Sequence, residues 1–226
     1  MTESVVAKIR AASHNLESRQ LLPELGLPFI PQTSYALSAS AIRIILNDLV
    51  LHRRRCVVEL GAGMSTLYLA QVLKECSGAQ LISVDHDAEW LAFVGEQLRR
   101  IGAASAVRLV HAPLELVEPL TEVKWYSHQE LRSALSGQTI DSVIVDGPKA
   151  RHGNDAETRS HAFAFLEPQL NSEGFVVFMD DINRQGERRI YERWAQEFDL
   201  DRVADAEFCG LGILAPRAQP LKFKIV

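Results

Sequence analysis

Hydrophobic and polar positions along the chain predict a regular alternation of strands and helices. The segment 39–51 spaces Ile42, Ile45, Leu46 and Leu49 about one helical turn apart, which predicts an amphipathic helix. Short apolar runs typical of buried strands lie at 56–60, 81–84, 107–110, 140–145 and 175–179. Helical patterns follow at 65–74, 88–100, 157–166 and 188–198, and the segment from 201 onward is predicted as strands.

This alternation predicts βαβ units and a mostly parallel sheet with helices on both faces. Residues 1–226 are interpreted as a single domain, with 1–50 as a helical lead-in and 51–226 as the core. In such sheets ligands bind beyond the carboxyl ends of the strands. Candidate site residues are therefore expected just after positions 59, 84, 110, 145 and 179.

Composition excludes several classes of protein. The 226 residues are 47% hydrophobic and carry a formal net charge of −5, which disfavours a nucleic-acid partner. No apolar run has the length of a signal peptide or membrane span, so a cytoplasmic protein is expected, and a homo-oligomer stays open. The basic run 52–55 precedes a predicted buried strand and is interpreted as a solvated helix end. The three cysteines lack the spacing of a zinc site or disulfide framework.

A glycine turn follows the first predicted strand. Gly61 and Gly63 allow a tight turn and a close approach to a ligand, and the following helix offers free N–H groups. The third glycine of a dinucleotide fingerprint is replaced by Thr66, and Glu59 ends the strand. A carboxylate at this position would repel a pyrophosphate and favour a cationic ligand. The candidate cofactor residues of this turn are Glu59, Gly61, Ala62, Gly63, Ser65 and Thr66.

A second acidic position follows the second predicted strand. Asp85 lies 24 residues beyond Gly61, and its carboxylate can accept both hydroxyls of a ribose. Asp87 is better placed as the N-cap of the next helix. His86, between the two, is the neighbouring candidate for cofactor binding.

Three further carboxylates follow the fourth and fifth strands. Asp146, Asp180 and Asp181 are expected in one cleft, where they would repel one another unless neutralised. Mg²⁺ or another divalent cation bound by these oxygens would neutralise them. Backbone hydrogen bonds and an Asp181–Arg184 ion pair are the alternative. Asp146 is the predicted general base, metal ligand or cofactor contact, and His152 is an alternative base.

The turn resembles motif I of class I S-adenosylmethionine-dependent methyltransferases, whose pattern is E-x-G-x-G. A closer resemblance is to a bacterial group that combines E-x-G-x-G-x-S-T, W-Y, V-D-G-P and D-D-x-x-R-x-x-E. These four motifs occur here in that order, as Glu59 to Thr66, Trp125-Tyr126, Val145 to Pro148 and Asp180 to Glu187. The three carboxylates are also similar to those of catechol-type O-methyltransferases, in which a metal lowers the pKa of the acceptor hydroxyl.

The resemblance implies a Rossmann-like fold: a mostly parallel seven-stranded sheet with an antiparallel C-terminal strand. It implies S-adenosylmethionine as the cofactor and O-methylation of a small-molecule or glycan-like acceptor. In that family the loop after the third strand contacts adenine, which makes His111 and Ala112 candidates. A histidine satisfied by the backbone is the alternative for His111.

Other polar and aromatic residues have two interpretations each. The charges from Lys149 to His161, Arg159 among them, could form a basic rim for an acidic acceptor or be solvated. The pair Trp125-Tyr126 could line the acceptor pocket, although packing is favoured. Tyr35, Ser38 and Ser40 could cover the cofactor.

Two other functions compete with methyl transfer. A nicotinamide-dependent oxidoreductase would share the fold, but Glu59, the missing third glycine and the lack of a Tyr-x-x-x-Lys pair weaken it. A non-catalytic binding or scaffold protein would show degraded cofactor motifs, whereas those in this chain are intact.

Overall fold

The computed structural model describes residues 25, 30, 33, 35–117, 123–149 and 154–225, with the backbone alone at 154–156 and 204–205. Residues 1–24 of the predicted helical lead-in and the candidate base His152 lie outside these ranges.

Nine strands and six α-helices make up the described part of the chain. The helices are α1 Ala39–Leu51, α2 Met64–Leu73, α3 Ala88–Arg100, α4 His128–Leu135, α5 His161–Leu166 and α6 Gln185–Glu197. The strands are β1 Cys56–Leu60, β2 Gln80–Asp85, β3 Val107–His111, β4 Leu114–Leu116, β5 Lys124–Tyr126, β6 Ser142–Val145, β7 Val176–Met179, β8 Leu200–Arg202 and β9 Gly212–Pro216.

Seven of these strands form one sheet in the order β3-β2-β1-β6-β7-β9-β8. Strands β3, β2, β1, β6 and β7 pair in parallel, and β9 is antiparallel to both of its neighbours. The predicted mostly parallel seven-stranded sheet with an antiparallel C-terminal strand is therefore confirmed. Strands β4 and β5 form a separate antiparallel pair.

Two hydrophobic clusters cover the two faces of the sheet. One contains residues of α1, α2 and α3, and the other contains residues of α4, α5 and α6. Val57 and Val58 belong to opposite clusters because successive side chains of a strand point to opposite faces. No helix among the described residues has both the length and the apolar character needed to cross a lipid bilayer.

Local differences from the predicted elements have tertiary causes. The segment predicted as a helix from 157 begins as a 3-10 helix, Asn154–Ser160, which turns the Arg159 side chain into the protein. The irregular region 112–138 contains the β4–β5 pair and α4.

The interpretation of the basic run 52–55 as a solvated helix end is wrong for Arg54. This side chain is buried, and its Nε and Nη2 each donate to Asp48 over 2.9 Å. Asp48, on the last turns of α1, is fully buried, so the pair fixes α1 to the chain that enters β1.

Candidate active site

A cleft of about 360 Å³ lies at the carboxyl ends of the central strands. Residues that follow β1, β2, β6 and β7 line it together with Tyr35, Trp90, Tyr126 and Arg159. This is the edge at which the sequence places the ligand. Of the predicted cofactor residues, the cleft is lined by Gly61, Ala62, Gly63, Ser65, Asp85, His86 and Asp146.

The glycine turn after β1 is packed directly against the loop after β6. Gly61 has a φ of +103°, and its N–H donates to the Val84 carbonyl over 2.8 Å. A Cβ on Gly61 would lie 2.8 Å from the Gly147 nitrogen. Gly147 in turn donates its N–H to the Leu60 carbonyl over 2.6 Å. Both glycines are therefore needed because two backbones approach each other without room for side chains.

Glu59 lies beneath the glycine turn and does not face the cleft. The residue is fully buried, and its carboxylate accepts hydrogen bonds of 2.6 Å from each of the Ser65, Thr66 and Ser83 hydroxyls. Burial raises the pKa of Glu59, and these hydroxyl bonds oppose the rise. The carboxylate ties β1, β2 and the start of α2 together, so it shapes the turn from below.

Thr66 completes the same network. Its Oγ1 accepts the Gly63 N–H over 2.9 Å and donates to Glu59. The residue that replaces the third fingerprint glycine therefore acts as a structural partner of Glu59, and its side chain is buried outside the cleft.

Asp85 and its neighbours form the wall at the end of β2. The Asp85 carboxylate accepts the Asp87 N–H over 2.9 Å and lies 3.1 Å from His86 Nδ1. Burial raises the Asp85 pKa, against these favourable contacts. Asp87 caps α3 by accepting the Trp90 N–H over 3.0 Å, as predicted.

Trp90 is a cleft residue that the sequence analysis missed. Its indole Nε1 donates to the Ala62 carbonyl over 2.7 Å, so the ring braces the glycine turn from the side of α3. Its position three residues after the Asp87 cap was the only signal in the sequence that could have placed it near the ligand edge.

His111 and Ala112 stand apart from the cleft in the described structure. The His111 ring nitrogen Nε2 lies 3.1 Å from the His86 carbonyl, which agrees with the alternative of a histidine satisfied by the backbone. Ala112 is fully buried and its N–H donates to the Asp85 carbonyl over 2.9 Å. Both residues support the loop that carries Asp85 and His86.

Trp125 packs in the protein core, whereas Tyr126 lines the cleft. Trp125 is fully buried, with edge contacts to Phe165 and His128 at ring distances of 5.3 and 5.6 Å. Tyr126 lines the cleft, and its buried hydroxyl has no hydrogen-bond partner among the described residues. Burial raises the pKa of Tyr126 well above its ordinary value, so the phenol stays protonated and can donate.

The three predicted carboxylates do come together. Asp146, Asp180 and Asp181 each place one oxygen so that all three lie within 4.8 Å of one another. Burial raises the pKa of Asp146 to about 7, with Arg159 opposing the rise and Asp181 adding to it. Burial and the neighbouring carboxylates likewise raise the pKa of Asp180 well above its ordinary value.

A buried guanidinium lies against two of these three carboxylates. Arg159 is only 3% exposed, and its Nη2 lies 3.6 Å from Asp146 Oδ1 and 3.3 Å from Asp181 Oδ2. Arg184, half exposed, adds a second contact of 2.8 Å to Asp181, which is the ion pair predicted as the alternative to a metal. The interpretation of Arg159 as a solvated loop charge is wrong, because the 3-10 helix points it inward.

The segment before α1 contributes Thr33, Tyr35 and Ala36 to the lining of the cleft. The Tyr35 hydroxyl accepts a 2.7 Å hydrogen bond from Lys149 Nζ, and both side chains lie at the mouth of the cleft. Ser38 caps α1 by accepting the Ala41 N–H over 3.1 Å, and Ser40 is fully buried. Of the three residues expected to cover a cofactor, only Tyr35 lines the cleft.

Solved structures resemble this fold over most of its length. The O-methyltransferase from Bacillus cereus in complex with SAH is 16% identical, with a TM-score of 0.60 and 90% of each chain covered. TomG, the Streptomyces achromogenes O-methyltransferase involved in tomaymycin synthesis, in complex with SAM, is 18% identical, with a TM-score of 0.58 and coverage of 90% of this chain and 88% of that one. SAH-bound PaMTH1, a Podospora anserina methyltransferase, is 13% identical, with a TM-score of 0.60 and coverage of 90% and 86%.

Sequence comparison assigns this chain to a protein family. No curated protein matches the chain. A family model described as a methyltransferase domain matches residues 58–182, which is more than half of the chain and spans the glycine turn, Asp85, Asp146 and the carboxylates after β7. This chain therefore belongs to that methyltransferase-domain family and is a class I S-adenosylmethionine-dependent methyltransferase.

Proposed function

We propose that this protein transfers the methyl group of S-adenosylmethionine to an oxygen atom of a small-molecule or glycan-like acceptor. The observation that carries the proposal is the direct contact, within one cleft, between the turn after β1 and the loop after β6. The glycine turn after β1 is the candidate cofactor platform, and it packs against Gly147, the neighbour of Asp146. A carboxylate with a pKa of about 7 thus stands beside the cofactor platform.

The residues of the cleft fit the cofactor. The Gly61 and Gly147 backbones line the cleft without side chains, so a ligand can approach them closely, and the Asp85 carboxylate can accept the ribose hydroxyls. The Tyr126 hydroxyl is a buried donor without a partner among the described residues, and such a group is costly unless a ligand or water satisfies it. When bound, the cofactor supplies an electrophilic methyl group on a sulfonium.

The electrostatic case for a cationic ligand rests on residues other than Glu59. Glu59 is enclosed by three hydroxyls, so it acts on the ligand only through the shape of the turn. Asp85, Asp87 and Asp146 line the cleft themselves. Asp85 and Asp87 place negative charge at the end of β2, which disfavours a pyrophosphate there and favours an ammonium or a sulfonium.

Asp146 is the proposed general base. A pKa of about 7 leaves the carboxylate partly ionised at neutral pH, which suits removal of a proton from an acceptor hydroxyl. Its position next to Gly147 and Gly61 places it at the boundary between the cofactor platform and the rest of the cleft. Tyr35 and Lys149 at the mouth would contact the acceptor.

A divalent cation fits the carboxylate cluster poorly. The three carboxylates are suitable donors, but the Arg159 guanidinium already lies 3.3 to 3.6 Å from two of them. The positive charge of this guanidinium opposes the binding of a doubly charged ion at the same oxygens. No residue role in the proposed reaction depends on a metal.

Calorimetric titration with S-adenosylmethionine, S-adenosylhomocysteine and NAD⁺ tests the cofactor assignment. We expect both sulfur nucleosides to bind and the dinucleotide not to bind. Binding of NAD⁺ alone would favour the oxidoreductase. Transfer of a labelled methyl group to hydroxylated small molecules then tests the reaction, and cofactor binding without transfer to any acceptor would favour a binding or scaffold protein.

A further inference from the structure

Arg159 connects the two loops that carry the carboxylate cluster. Its Nε donates to the Pro148 carbonyl over 3.3 Å and its Nη1 to the Asp180 carbonyl over 3.2 Å, and its Nη2 donates to the Asp146 carbonyl. Every nitrogen of the guanidinium thus bonds to the backbone after β6 or β7. The group holds both loops at the edge of the cleft.

We infer that Arg159 takes the place of a divalent cation in this site, as a built-in positioning residue that lets the chain work without bound metal. It supplies the two structural effects of a bridging metal ion: positive charge among the carboxylates and a link between the loops after β6 and β7. The inference deepens the proposed function, because it concerns how Asp146 is held in the same cleft.

The geometry keeps the guanidinium where it is. Arg159 is 3% exposed, and if it moved away, the backbone carbonyls of Asp146, Pro148 and Asp180 would lose its hydrogen bonds. A metal ion could enter between Asp146 and Asp181 only by displacing a group that these bonds retain.

The charges of the arginines and carboxylates support the same inference. Arg159 and Arg184 together place two guanidinium groups against two of the three carboxylates, Asp146 and Asp181. At these two positions the chain itself reduces the repulsion that would otherwise favour a divalent cation. Arg184 is half exposed and contacts Asp181 and Glu187 rather than the loop carbonyls, so of these two arginines it is Arg159 that joins the two loops.

Metal binding by the wild-type protein is the first test. After dialysis against EDTA, the protein is titrated with Mn²⁺, followed by calorimetry and by the electron paramagnetic resonance signal of free Mn²⁺. We expect no saturable binding, and methyl transfer should be the same in EDTA and in Mg²⁺. Saturable Mn²⁺ binding that Asp181→Asn abolishes would overturn the inference, whether or not an acceptor is known.

Removal of the guanidinium is the second test. Arg159→Met keeps a long apolar stem but removes the charge, and we expect it to gain saturable Mn²⁺ binding, at least about tenfold tighter than any weak binding detected in the wild type. The additional Asp181→Asn change should abolish the gained site. Arg184→Met is the matched control, and it should gain no site because Arg159 remains between the carboxylates.

The variants distinguish charge replacement from simple packing. A folded Arg159→Met protein, with a native circular dichroism spectrum, that binds no more Mn²⁺ than the wild type would contradict the inference. If Arg159→Met does not fold, the wild-type titration decides together with Arg159→Lys, which keeps a positive charge and should also exclude Mn²⁺. Saturable Mn²⁺ binding by folded Arg159→Lys would likewise contradict the inference. The Mn²⁺ titrations need no acceptor, so their outcome is separate from that of the proposed methyl transfer.

Discussion

Individual residues of the cleft owe their chemistry to burial. Asp146 and Asp180 are partly enclosed by the loops after β6 and β7, and this partial burial raises the pKa of each. Tyr126 keeps an unsatisfied hydroxyl among the described residues in the same environment. Such groups are retained where a ligand can use them, so they provide the most direct tests of the site.

Asp146→Asn should lower kcat by at least about a hundredfold while leaving the affinity for S-adenosylmethionine nearly unchanged, because it removes the proposed base without altering the glycine turn. For the wild type, kcat should rise with pH through about 7, since only the ionised carboxylate accepts a proton. Labelled methyl transfer at fixed pH values and calorimetry measure the two quantities.

The matched control for this change is Asp201→Asn, which removes an exposed carboxylate paired with Arg217. It should retain the wild-type kcat and pH profile. Full activity of Asp146→Asn would remove Asp146 from the mechanism.

Tyr126→Phe should weaken S-adenosylmethionine binding about fivefold to tenfold and leave the free energy of unfolding of the unliganded protein unchanged or slightly higher. The change removes a hydroxyl that has no described protein partner but can donate to a ligand. Calorimetry and urea unfolding without ligand measure the two effects.

Tyr191→Phe is the control, because the Tyr191 hydroxyl donates to the Ile213 carbonyl over 3.2 Å. It should lose about 1 kcal/mol of stability and keep its cofactor affinity. An unchanged affinity in Tyr126→Phe would show that the hydroxyl does not contact the cofactor.

At the scale of elements, the site depends on how the turn between β1 and α2 meets the loop after β6. The backbones of Gly61 and Gly147 are in contact, and Glu59 fixes the turn from beneath through Ser65, Thr66 and Ser83. Trp90 on α3 braces it from the side. The turn is thus held by three elements, which explains how a short loop can present a defined surface to a ligand.

Gly61→Ala should destabilise the fold by more than about 2 kcal/mol and abolish measurable cofactor binding. The new Cβ would meet the Gly147 nitrogen at 2.8 Å, and the φ of +103° is unfavourable for alanine. Urea unfolding and calorimetry provide the measurements.

Gly137→Ala controls for backbone strain alone, because Gly137 has a φ of +72° and no atom within 4 Å of the added Cβ. It should lose about 1 kcal/mol and keep full affinity. Equal losses in the two variants would mean that the contact with Gly147 contributes nothing.

At the scale of the molecule, one end of the sheet carries the cleft and the other end contributes to stability. The carboxyl ends carry the cleft, whereas the opposite end carries the buried Asp48–Arg54 pair between α1 and the start of β1. Two hydrophobic clusters join these ends through the sheet. Changes at the far end should therefore alter stability without altering the chemistry of the cleft.

Arg54→Met should lower the free energy of unfolding by about 3 to 5 kcal/mol, because it leaves Asp48 buried without its guanidinium partner. The affinity for S-adenosylmethionine should be unchanged under conditions in which the variant is folded. Arg217→Met, at an exposed ion pair, should change stability by less than about 1 kcal/mol. A loss of cofactor affinity in folded Arg54→Met would contradict this separation.

Periodicity and turn residues were enough to predict where the core strands lie along the chain, the parallel sheet, the glycine turn and the strand ends at which Asp85, Asp146 and Asp181 lie. These features depend mainly on local sequence, because an apolar run favours a buried strand and a glycine favours a tight turn wherever the chain later packs. Contacts between distant polar groups were decided only by the tertiary structure. Glu59 lies beneath the glycine turn and accepts a hydrogen bond from Ser83. Arg159 contacts the carboxylate cluster, and Tyr126 lines the cleft whereas Trp125 packs away from it. The physical reason is that hydrophobic spacing specifies which face of an element is buried, whereas the partner of a buried charge depends on how separate elements meet.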